Sequence, residues 1–350
     1  MKKFKVLKWS RWIFWAILIL SVASCAPNVD ELTESPAETQ GVVDNTEMPA
    51  PTLTATAVDL APVVILVASP EADPVALSQI QAALLSLTQG GELSLDTREN
   101  LTPGELASNV KIVVGVGPGL DLNSLAVGAT QTAFVAIDAP DAVPTNNVSV
   151  IGDPVLDQQQ QAFMAGYLAA LVSTDYKIAA LVPSDSDNTN QIVDAFVIGA
   201  RFFCGICQQK FPPYNAFPQW ETMAAGDAVN SFVPVVDPLI ANGVEVLFVQ
   251  GSIASPELLT YLAESDVKVV GDRSPGMARN NWVGTISQDP GPALVELWPE
   301  LLNGSGGKQV SASVILEDTA AGLISEGRLR LFEEMAADLE AGLVSPVTAP

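Results

Sequence analysis

Nothing constrains this chain more than the alternation that begins at Pro62. Short apolar, β-branched runs take turns with stretches of helical periodicity as far as Gly342. Strands are expected at 63–67, 111–116, 132–138, 148–151, 177–182, 244–249, 268–271, 282–286 and 313–316. Helices are expected near 73–88, 157–173, 189–203, 237–242, 256–264, 290–303 and 325–342. Ile112-Val113-Val114 and Ile178-Ala179-Ala180-Leu181-Val182 are apolar without interruption. Strands of that kind suit a parallel sheet covered on both faces. Strict alternation of the two element types implies α/β layers. A body of about 290 residues is large for one doubly wound sheet and natural for two lobes.

Charge narrows the chemistry. The chain holds 40 acidic residues, 16 basic residues and no histidine. Without histidine the commonest general base and metal ligand is missing, and Ser–His or Cys–His catalysis within the chain is excluded. No nucleophile elbow or phosphate-cradling P-loop is present either. Gly115-Val116-Gly117-Pro118-Gly119 lacks the Lys-Ser/Thr that such a loop needs. An enzyme is therefore not expected, and no cofactor or metal is implied. The acidic surface disfavours nucleic acid and anionic lipid headgroups. Its simplest consequence is solubility, and a monomer is expected.

Before Pro62 the composition differs. Residues 26–61 hold no Lys, Arg or aromatic residue and are rich in Thr, Pro, Ala and acids. They cannot bury enough apolar surface to offset their ordering entropy, so residues 25–61 read as a linker. The first 24 residues carry Lys2, Lys3, Lys5, Lys8 and Arg11, then an apolar run to Val22. These are the parts of a secretory signal, and the run is short for a membrane span. Removing them leaves 11 basic against 40 acidic residues, a net charge of −29.

Val22-Ala23-Ser24-Cys25 resembles the lipobox of bacterial lipoproteins. That resemblance implies a diacylated Cys25 as the new N-terminus, on the extracytoplasmic face of the cell membrane. Outside the cytoplasm, Cys204 and Cys207 are expected to pair as a disulfide. They close the helix of 189–203, where a redox motif would open one, so they read as a local staple.

Gln160, Phe163, Ala165-Gly166 and Ala169-Ala170 lie in one expected helix, and Phe196 and Gly199 lie in the next. Phe134…Asp138, Gly243…Phe248, Val270-Gly271-Asp272 and Leu339…Pro346 complete an ordered set of motifs. Together they resemble the basic membrane protein family of substrate-binding lipoproteins over about 110–346. The resemblance implies a two-lobed type I periplasmic-binding-protein fold, each lobe a parallel sheet flanked by helices. Lobe 1 would be 62–150 and 289–312; lobe 2 would be 151–288 and 313–350. It further implies a small polar ligand, with a nucleoside or related ribose-bearing compound the first guess, held between the lobes and delivered to an ABC permease. A ligand-sensing or surface interaction lipoprotein that has lost transport is the alternative. Where the family carries an aromatic D-x-S-F-N segment, this chain has Ser69-Pro70-Glu71-Ala72-Asp73.

In open α/β sheets ligands bind beyond the carboxyl ends of strands. Asp138, Asp185 and Asp272 each follow an apolar strand and are candidate ligand contacts on that ground. Gln288, in Gly284-Thr285-Ile286-Ser287-Gln288-Asp289-Pro290, resembles the hinge glutamine of sugar-binding relatives. The small residues around Gly166 are expected to let that helix pack closely on a sheet, and Gly199 to allow close helix approach.

Overall fold

The computed structural model describes residues 61–229 and 231–347; Cys25, the leader and the linker lie outside them. Val58–Pro350 is one compact unit. Its first half runs β1 (Val63–Ala68), α1 (Pro74–Thr88), β2 (Ser94–Arg98), β3 (Val110–Val116), α2 (Leu122–Gly128), β4 (Ala133–Ile137) and β5 (Val148–Ile151). Next come α3 (Pro154–Val172), β6 (Ile178–Pro183), α4 (Thr189–Cys204), β7 (Gln219–Met223), α5 (Val233–Ala241), β8 (Val246–Val249), α6 (Pro256–Ala263), β9 (Lys268–Gly271) and β10 (Trp282–Asp289). The chain closes with α7 (Gly291–Leu302), β11 (Gln309–Val310), β12 (Ser313–Glu317) and α8 (Glu326–Glu340).

The strands form two six-stranded sheets, ordered β11-β5-β4-β3-β1-β2 and β12-β10-β9-β8-β6-β7. Sheet one is parallel throughout. Sheet two is parallel except for β12, which runs antiparallel to β10. Counted within its own half, each sheet has the doubly wound order 2-1-3-4-5. The chain passes between sheets three times: from β5 into α3, from β10 into α7, and from β11 into β12.

Alternate residues of the strands feed opposite cores, as a pleated strand requires. Val64 and Leu66 join Leu84, Leu294 and Trp298 under α1 and α7, while Ile65 and Val67 join Leu122 and Ala126 under α2. In sheet two, Ala180 and Val182 meet α3, α4 and α8, and Ala179 and Leu181 meet α5 and α6. The four cores are built of residues between Val63 and Val344, which gives this unit the apolar burial that a fold of its own requires.

Capping explains where the helices begin. Asp73, Asp153 and Ser255 each precede a proline and accept hydrogen bonds from the first turn. A short polar acceptor followed by proline at the first helical position is a strong start signal. Accordingly α3 starts at Pro154, three residues before the expected position, and β10 continues to Asp289, beyond the expected end. The edge strands β2 and β7 were not anticipated from sequence, since their polar runs (SLDTR and QWETM) carry no apolar signature. Gly166 differs from expectation as well. It faces the Phe196 carbonyl of α4, while Gly199 faces the Phe163 carbonyl of α3, so the small residues bring two helices together and not a helix onto a sheet.

Candidate functional site

The site forms where the chain first leaves sheet one. Gly152 ends β5 with φ +95°, and a Cβ there would stand 2.9 Å from Asp157 Oδ2. Asp153 caps α3, its Oδ1 accepting from Val155 N–H at 3.0 Å and Leu156 N–H at 3.1 Å. One turn later, Asp157 Oδ2 accepts from Asp153 N–H at 2.9 Å. Gln288, near the end of β10, donates from Nε2 to the Asp157 carbonyl at 3.3 Å. Gln161 donates to the Ile286 carbonyl at 3.2 Å. Two glutamines therefore tie the strand leaving sheet two to the helix entering it.

Asp157 Oδ1 and Gln288 Oε1 are buried and have no partner among the described residues. Burial pushes the Asp157 carboxyl up to about 7. The Asp153 N–H bond opposes that rise, the Asp153 charge adds to it, the Gln288 contact opposes it and the Asp138 charge adds again. Buried polar atoms are normally paired, and one left over calls for a ligand, a water or a proton.

Asp138 sits just past β4 in a left-handed conformation, φ +52°. Its side chain is open to water, yet burial among neighbouring atoms raises its carboxyl, helped by the Asp73 charge. No described residue donates to it. Asp73, Asp138, Asp153 and Asp157 thus share the carboxyl end of sheet one.

Sheet two reaches the same helical turn. Asn188, after β6, donates to Gln158 Oε1 at 2.6 Å, and Ser186 donates to Asn188. Gln159 donates to Gln191 Oε1 at 3.1 Å. Asp185 and Asp272 lie further along that edge and are already engaged. Both Asp185 oxygens face Ala225 N–H, at 3.3 and 3.4 Å. Asp272 accepts from Gly251 N–H. Burial pushes Asp272 up to about 6, against the bonds from Gly251 N–H and its own N–H and the charge of Arg273.

Of the four residues singled out in the sequence, Asp138 and Gln288 converge on Asp157; Asp185 and Asp272 brace neighbouring loops. Sequence reasoning missed Asp153, Asp157, Gln158 and Asn188. The Asp153-Pro154 pair was the available signal, since it fixes the start of α3 and so the place of Asp157 in its first turn.

Beyond β1 and β3, where the order of sheet one reverses, the two loops that follow the strands pack closely. Gly117 has φ +96°, and a Cβ there would lie 2.8 Å from Ala72 Cα and 3.0 Å from Ser69 Cβ. A hollow of about 230 Å³ lined by Lys111, Thr130, Gln131 and Leu302 lies at the opposite end of sheet one. Among the described residues, no group of three His, Cys, Asp or Glu is placed to hold a metal.

No known protein-family profile and no curated protein matches the sequence. Solved structures do. An ABC transporter system solute-binding protein from Conexibacter woesei superposes with TM-score 0.57 at 17% identity, covering 83% of this chain and 99% of that one. A transcriptional activator of the comK gene from Bacillus halodurans gives TM-score 0.53 at 13% identity, covering 82% and 100%. An ABC transporter solute-binding protein from Aeropyrum pernix gives 0.50 at 14%, covering 83% and 94%. The chain has the type I periplasmic-binding-protein fold. At these identities the likeness establishes architecture, which importers' binding proteins and regulators share.

Proposed function

We propose that this protein is an extracytoplasmic solute-binding lipoprotein of an ABC importer, anchored through Cys25. It would close its lobes on a small polar ligand and present it to a membrane permease. The observation that carries this reading is the pair of unpaired buried acceptors, Asp157 Oδ1 and Gln288 Oε1, where two interlobe passages meet. A closing hinge brings new groups to such a place, and a ligand with hydroxyl donors would satisfy both atoms. Two neighbours of this fold are described as solute-binding proteins of ABC transporters, which agrees.

Ribose-bearing compounds are the first candidates, as the basic-membrane-protein-like motifs suggest. The segments 69–73, 117–121, 138–147, 184–188, 250–255 and 272–281 hold no Phe, Tyr or Trp. Recognition would rest on hydroxyl groups and not on stacking of a base.

The test is thermal unfolding of Val58–Pro350 against a panel of nucleosides, sugars and polar metabolites. A ligand bound only by the native state adds about 2.7 kcal/mol at 100 times its Kd. At least one compound class should raise Tm, and Asp138→Ala with Gln288→Ala should abolish the rise. A flat panel, or a rise unchanged in the double variant, counts against the site.

A further inference from the structure

Over residues 195–220 the chain carries Arg201 and Lys210 and not one acid, although it holds 40 acids overall. The same stretch exposes large apolar side chains: Ile206 is 86% exposed, Tyr214 70%, Phe211 65% and Phe202 51%. Ile206 and Tyr214 line one hollow of about 360 Å³ together with Phe217 and Asn215. Arg201 and Lys210 are exposed, and no described acid pairs with either.

The loop is held from beneath. Lys210 N–H and Phe211 N–H donate to Asp175, the latter at 3.3 Å. Asp175 pairs with Lys177 at 3.0 Å, and both side chains are buried. Gln209 Oε1 accepts from Asn215 N–H at 2.6 Å, and Asn215 Nδ2 donates to the Asn242 carbonyl at 2.8 Å. Cys204 and Cys207 are bonded at the loop's entrance, their Cα atoms 5.5 Å apart. Polar groups thus bond inward while apolar tips stay in water. Holding a loop in one shape lowers the ordering entropy lost on docking.

We propose that this face docks on a phospholipid bilayer, with Ile206, Phe211 and Tyr214 entering the interface and Arg201 and Lys210 meeting lipid phosphates. Aromatic rings favour headgroup depth, and each basic residue near the surface adds attraction to anionic lipid. Charges more than about 8 Å away are screened at physiological ionic strength; among nearer acids, Glu334 and Asp338 of α8 act on Tyr167, whose ring meets Phe203. A second copy fits less well. A two-fold interface would join this patch to an identical one, bringing four basic side chains together with no acid from the 195–220 stretch between them. The proposal is independent of what the cleft binds.

The experiment is co-sedimentation of Val58–Pro350 with vesicles of phosphatidylcholine, with and without one-third phosphatidylglycerol. Binding is expected to both and tighter to the anionic vesicles. The triple variant Ile206→Ser, Phe211→Ser, Tyr214→Ser should bind at least about tenfold more weakly to both. Arg201→Glu with Lys210→Glu should lose about tenfold on anionic vesicles, with a small change on phosphatidylcholine alone. Circular dichroism and Tm check that each variant is folded; the charge variant carries the test should the triple variant unfold. Absence of binding, or equal binding by both variants, overturns the proposal. So does a wild-type dimer that the triple variant makes monomeric, since the face would then join two copies.

Discussion

Sheet one and sheet two share the order 2-1-3-4-5, yet their helices are fastened differently. On sheet one, α1 and α7 meet through large side chains, among them Leu84, Leu294, Leu297 and Trp298. On sheet two, α3 and α4 meet backbone to backbone at Gly166 and Gly199. The ion pairs differ in the same way. Arg98–Asp96 and Lys308–Glu300, on the sheet-one side, are half-exposed, whereas Asp175–Lys177 below sheet two is buried. One topology is thus compatible with an adjustable interface and with a rigid one. The rigid one holds both the first turn of α3 and the loop of 204–217.

The largest expected effect tests the glycine contact. Gly166→Val should destabilise by about 4 kcal/mol, because the new atoms meet the Phe196 carbonyl and neither helix can retreat. Ala293→Val, in the side-chain-mediated core of α7, should cost only about 1 kcal/mol. Urea melts of the two variants compare them directly, and equal losses would erase the distinction between the sheets.

Lys177→Met comes next. It leaves Asp175 buried with its N–H donors and no counter-charge, a loss of about 3 kcal/mol. Burial alone would raise the Asp175 carboxyl. The Lys210 N–H, the bond and charge of Lys177 and the Phe211 N–H outweigh it and hold the carboxyl below its ordinary value. Its stabilisation is present above the unfolded pKa and is lost as pH falls through the lower folded one. Wild type should therefore lose stability below about pH 4, and the Lys177→Met variant should lose less there. A variant as acid-sensitive as wild type would refute this role for the pair.

Asp157 has the opposite sign. Its folded pKa is about 7, above the ordinary aspartate value of 3.8. Between those values the folded state binds the extra proton, so stability falls as pH rises from about 4 to 7 and is level above. Asp157→Asn should flatten that slope and raise stability at pH 8 by about 1–2 kcal/mol, after allowance for water near the group. An unchanged slope would show that the first turn of α3 is not where the fold holds an uncompensated carboxyl.

A last effect, of similar size, concerns Cys204 and Cys207. Four residues make the shortest loop a disulfide can usefully close, so replacing both by Ser should cost about 1–2 kcal/mol. A larger loss would make this pair a support for the whole of lobe 2 and not only for its outer loop.

How much of this was legible depends on distance along the chain. The parallel strands were, because β1, β3, β4, β6 and β8 are apolar on both faces. The edge strands β2 and β7 were not, since their order comes from neighbours and not from their own composition. Asp138 was singled out from its place after a strand, and Gln288 from its likeness to a hinge glutamine. Asp157 was not, because an acid in a first turn ordinarily serves the helix dipole. Its place in the site shows only in three dimensions, where its backbone carbonyl accepts from Gln288, 131 residues away. The loop of 204–217 carried a sequence signal in its missing acids, but only the structure shows its apolar tips left in water.

The most direct test of the account is native mass spectrometry of Val58–Pro350 incubated with the small-molecule fraction of a bacterial extract. A single polar adduct at one-to-one stoichiometry, lost in Asp138→Ala with Gln288→Ala, is the expected result. Bare protein alone, across extracts and at high load, would contradict the claim that these two lobes close on a ligand.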